Sequence, residues 1–126
     1  MSKSIKLKNN IFLNGEICDM GSNANGNYVK YANGLMICYA NIPMSNFVNQ
    51  SYHGYTYGWT YPNSFIANAI VVANTNEWTT SDSSIKVLGG ISSCSMMYFI
   101  RNPYSKEYTN DYTSGSINVM AIGRWK

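Results

Sequence analysis

The pair Asn33-Gly34 sits between two apolar runs, Tyr28 to Tyr31 and Leu35 to Ile42, and no other feature narrows the fold so sharply. Asn and Gly tolerate the positive backbone angles of a tight turn, so this pair between apolar runs predicts an antiparallel hairpin. Its arms differ. Tyr28 and Lys30 alternate with Val29 and Tyr31, as in a half-buried strand, whereas Leu35 to Ala40 scarcely alternates. A run of that kind reads as a strand covered on both faces. What covers the second face in a chain of 126 residues is the first question the sequence raises.

Strand signals recur along the chain. Further strands are expected at Tyr55 to Tyr61, Phe65 to Thr75, Ile85 to Leu88, Ser95 to Arg101 and Ser116 to Arg124, bounded by Asn, Gly, Ser and Pro. Helical periodicity is nearly absent, apart from a loose possibility at Asn41 to Asn49. The expected fold class is all-β, an antiparallel sandwich or barrel. In SINVMAIGRW, Ile117, Val119, Ala121 and Gly123 face one way and Asn118, Met120, Ile122 and Arg124 the other. Again the second face is only partly polar. Residues 1–22 read as a separate stem or lead-in ending in a flexible GSNANGN linker, followed by a β domain over 23–126.

Charge excludes some partners. Lys3, Lys6 and Lys8 carry the net +3, and the remaining six basic groups balance six acids, so the body lacks the clustered cations that phosphate backbones require. No nucleic-acid partner is expected. Solubility falls instead to seventeen Asn, fifteen Ser and seven Thr, a composition compatible with an AT-rich genome. Nothing approaches the ~20 apolar residues of a membrane-spanning helix, and no signal peptide heads the chain, so membrane insertion is not expected. Cys18, Cys38 and Cys94 are odd in number and without CxxC spacing, which speaks against a disulfide framework or zinc site. Cys38 and Cys94 lie in strand patterns and read as small core residues.

In an up-and-down antiparallel arrangement, alternate connections fall at alternate ends. The short connections (Ala32 to Gly34, Pro62 to Ser64, Gly89 to Ser93) then share one end, and the long ones (Pro43 to Gly54, Asn76 to Ser84, Asn102 to Gly115) the other. Loops held by a rigid sheet commonly carry binding residues. The candidates are Tyr52, His53, Trp78, Asp82, Arg101, Tyr104, Tyr108, Asp111 and Tyr112, flat rings among polar donors and acceptors, a mixture suited to sugar rings. Trp59, Tyr61, Phe65, Tyr98 and Phe99 read instead as core or interface aromatics.

Catalytic signals are sparse. His53 is the single histidine, and no GxSxG elbow accompanies it. Glu77 with Asp82, or Glu107 with Asp111, would be the carboxylate pairs of a glycosidase, but such groups more commonly solubilise loops and cap turns. No cofactor and no enzymatic activity is expected.

The stretches GNYVKYANGLMICYA, WTYPNSF (Trp59 to Phe65) and AIGRWK (Ala121 to Lys126) together resemble, in order, the C-terminal domain of bacteriophage and prophage tail fibre proteins. The resemblance covers about residues 24–126. It implies a compact β-sandwich similar to H-type lectins, a homotrimer at a fibre tip, and adsorption to host cell-surface glycan. It also implies a place in the virion and an upstream tail fibre or baseplate partner. A neighbouring subunit would then cover the outer side of Leu35 to Ala40. Two alternatives stand beside this expectation, a trimerising or capping module without ligand and a glycan-depolymerising enzyme.

Overall fold

The computed structural model describes residues 15–50, 54–75, 82–101, 108–109 and 115–126. Its strands are β1 (Ile17–Asn23), β2 (Gly26–Tyr31), β3 (Leu35–Pro43), β4 (Val48–Asn49), β5 (Tyr55–Thr60), β6 (Ile70–Thr75), β7 (Asp82–Gly89), β8 (Ser93–Arg101), β9 (Tyr108–Thr109) and β10 (Ser116–Arg124). They form two antiparallel sheets, A in the order β1-β2-β3-β10-β6 and B in the order β4-β5-β8-β7 with β9 also on β8. All-β antiparallel architecture is therefore what the residues build.

The expected hairpin is present. Gly34 has φ +100°, its N–H donates to the Tyr31 carbonyl at 3.0 Å, and Asn33 Oδ1 accepts from the Leu35 N–H at 3.0 Å. A second hairpin precedes it. Ile17–Asn23 pairs with β2 through an Ala24-Asn25 turn, in which Asn23 Oδ1 accepts from the Asn25 N–H at 2.8 Å and Asn23 Nδ2 donates to the Pro62 carbonyl at 3.0 Å. GSNANGN thus spans the end of β1, the two-residue turn and the start of β2, where a flexible linker was expected. The boundary expected at residue 22 falls within this hairpin. Asparagine side chains supply local hydrogen bonds that an apolar pattern does not reveal.

Alternation places the core. Met36, Cys38 and Ile42 of β3 and Ile117, Val119 and Ala121 of β10 meet Tyr55 and Trp59 of β5 and Cys94, Met96 and Tyr98 of β8, all buried. Tyr61 and Phe65 close one end, with Trp59–Tyr61 and Tyr61–Phe65 ring centroids each 5.2 Å apart and edge-to-face, the arrangement aromatic quadrupoles favour. Met44 and Phe47 are also buried in this core. Burial pushes the Cys38 and Cys94 thiols up to about 11, as the charged form loses its solvation.

Several expectations need correction. Only Ile70–Thr75 of the expected Phe65 to Thr75 strand is extended. The Phe65 N–H donates instead to the Ile91 carbonyl at 2.9 Å and the Ala69 N–H to that of Gly90 at 3.0 Å, so the segment lies across the end of the core. In place of any helix at Asn41 to Asn49 there is a single 3-10 turn, Met44–Asn46, and then β4. The order within sheet A is not sequential, because β10 inserts between β3 and β6.

The parity of the connections nevertheless holds at the described end. The Trp125 N–H donates to the Gly34 carbonyl and the Ile66 N–H to that of Arg124, each at 2.9 Å, bringing the β2–β3 turn, the 61–69 connection and the 90–92 turn together.

Candidate functional site

Three of the nine candidate binding residues fall on described backbone. Asp82 opens β7 and Tyr108 opens β9, so neither belongs to a loop as expected, and Arg101 ends β8. The register pairs Asp82 with Arg101 and Arg101 with Tyr108. All three thus stand in one cross-strand row at the end of sheet B opposite the short turns. Tyr52, His53, Trp78, Tyr104, Asp111 and Tyr112 lie outside the described residues.

Sequence reasoning did not anticipate the extent of the apolar outer face of sheet A. Successive rows run Met20, Val29, Ile37, Ile122, Ile70 and then Ser22, Asn27, Tyr39, Met120, Val72. Ile70 is 70% exposed, Met20 62%, Val72 50% and Tyr39 45%. These rows hold no acid or base. A further row, Asn41, Asn118 and Asn74, borders them, with Asn41 Nδ2 donating to Ser116 Oγ at 2.8 Å and Asn118 Oδ1 at 2.9 Å. An open trough of about 730 Å³ lies over Tyr39, Val72, Met120 and the asparagine row. Among the described residues, none covers the second face of Leu35 to Ala40. The partly polar reading of β10 was the available signal.

A second concavity lies where the sheets meet along β2, β3 and β5, on the side away from β6 and β7. It measures about 310 Å³. Its walls are the Ala24-Asn25 turn, β3 from Ala40 to Pro43, and Asn46, with Tyr57 and Trp59 contributed by sheet B. Pairing between β2 and β3 stops at Asn27 and Tyr39, so Ala40 to Pro43 carries a strand neighbour on the β10 side alone. Trp59 Nε1–H donates to the Asn25 carbonyl at 2.7 Å and holds the turn against sheet B. Tyr57 is half-buried, its ring 5.4 Å from that of Phe47.

Compared with family models, curated protein sequences and solved structures, the chain shows no match. Among the described residues, no three of His, Cys, Asp and Glu gather as a metal site would need, and no helix is long and apolar enough to cross a membrane.

Proposed function

We propose that this chain is the tip domain of a phage or prophage tail fibre, working as an H-type-lectin-like homotrimer that binds host cell-surface glycan during adsorption. The observation that carries the reading is the outer face of sheet A, two uncharged rows with Ile70, Met20 and Val72 half or more exposed. Contiguous apolar surface of this kind marks an interface, and a second copy of the same uncharged face meets no electrostatic opposition there. The ligand face of this reading is the end of sheet B where the register aligns Asp82, Arg101 and Tyr108. Three copies on one fibre would convert weak contacts into avidity.

The same apolar face also favours a trimerising or capping module that binds nothing. Adsorption to host cells separates the two readings. The intact chain adsorbs on the proposed reading, and Trp78→Ala and Tyr108→Ala weaken adsorption without changing oligomer mass. A chain of correct trimeric mass that binds no cell leaves the capping module. A well-behaved single-copy species overturns the assembly.

A further inference from the structure

We infer that the cleft between the Ala24-Asn25 turn, the free edge of β3 and Tyr57 is a binding site for a neutral saccharide unit, distinct from the Asp82–Arg101–Tyr108 row. The inference rests on the adhesion reading for its biological sense but on its own geometry for its chemistry. At about 310 Å³ the cleft lies at the small end of ligand pockets, which begin at roughly 300 Å³, and fits a sugar unit better than a folded partner.

The lining is matched to such a ligand. Asn25, Asn41 and Asn46 line the cleft; the amides of Asn25 and Asn46 each offer a carbonyl acceptor beside two N–H donors, and Asn41, which donates to Ser116 and Asn118, offers its carbonyl. A sugar hydroxyl likewise donates and accepts, so a ring of amides pairs with a ring of hydroxyls. Among the described residues, the side chains of Asn25 and Asn46 make no hydrogen bond and are open to one from outside. Tyr57 contributes a half-buried ring for the apolar C–H face of a pyranose. No acid or base lines the cleft, which disfavours phosphates, nucleotides and acidic sugars, since their charge would be desolvated without a partner.

The walls are fixed in advance. The Trp59–Asn25 and Asn23–Pro62 hydrogen bonds hold the turn, and Asn41 is held by Ser116 and Asn118. Little ordering remains to oppose binding, which is how a small site gains affinity.

The test uses the intact ¹⁵N-labelled chain, titrated with glucose, galactose, mannose, rhamnose, N-acetylglucosamine and N-acetylgalactosamine to tens of millimolar, with amide shifts as readout. At least one sugar is expected to shift residues 23–27, 40–46 and 57 as a group. The double variant Asn25→Ala/Asn46→Ala, which removes two unpaired side chains and leaves the core intact, lowers that affinity about tenfold or more, as loss of neutral hydrogen bonds does. Leu88→Ala, at an exposed position of β7 away from the cleft, serves as a folded control retaining the affinity. Absence of shifts in the cleft with every sugar, or a titration unchanged in the double variant, overturns the site. Cell adsorption without cleft shifts sinks the cleft and leaves the fibre-tip reading standing. Cleft shifts in a chain that adsorbs to no cell do the reverse.

Discussion

Trp59, the largest side chain in the core, donates its indole N–H to the backbone carbonyl of Asn25 across 2.7 Å, thirty-four residues away. That one bond ties sheet B to the turn that begins sheet A. It couples the packing of the core to the shape of the asparagine-lined cleft.

Replacing Trp59 therefore has a polar as well as an apolar cost. Trp59→Phe keeps a ring but strands the Asn25 carbonyl, and the expected loss is about 1–3 kcal/mol. Urea unfolding of both chains checks it. An unchanged midpoint would show that the bond contributes nothing net.

Gly34 is required on two counts. Its φ of +100° is unfavourable for any residue with a Cβ, and a Cβ there would run into the Arg124 guanidinium and the Lys126 carbonyl. Gly34→Ala is expected to lower stability by on the order of 1–3 kcal/mol, read by thermal unfolding.

The outer face of sheet A makes a prediction about mass. Ile70 and Val72 are exposed in the single chain, so Ile70→Lys/Val72→Lys leaves the fold intact. On the trimeric reading the parent is expected at three times 14.1 kDa by light scattering and the double variant at 14.1 kDa.

The buried thiols set an alkaline limit. Cys38 and Cys94 have folded values of about 11 against an ordinary value of 9.0. A thiol is neutral when protonated, so between those values the native state holds protons that the unfolded chain has released. Stability is accordingly flat below about pH 9 and falls as pH rises toward about 11. Unfolding at pH 8 and 10.5 tests the sign, and the Cys38→Ala/Cys94→Ala chain should lose that slope. At pH 8 a thiol reagent should label the exposed Cys18 and spare the other two until the protein unfolds.

The parts of the fold legible in sequence were those written in apolar side chains. β3, β10 and their hairpin partner declared themselves through alternation and through Asn33-Gly34, and Trp59, Tyr61, Phe65 and Tyr98 are buried as expected. Ile17–Asn23 was missed because Met20 is its apolar residue on the outer face, and what fastens the strand is backbone pairing and the side chain of Asn23. The insertion of β10 between β3 and β6 was illegible because it depends on contacts more than forty residues apart. Of the candidate site, register alone brings Asp82, Arg101 and Tyr108 into line. The cleft asparagines stood in plain sight as turn formers, and only the approach of Tyr57 and Trp59 gathers them around a space.

Gly58 lies in the middle of β5, and a Cβ built there meets nothing within 4 Å. Glycine weakens a strand interior through backbone entropy, by roughly 0.5–1 kcal/mol in comparison with alanine. The molecule thus carries a vacant mounting point on the outside of sheet B. A threonine there would stiffen the strand, and a cysteine bearing a fluorophore would report from that surface while the interior stays undisturbed.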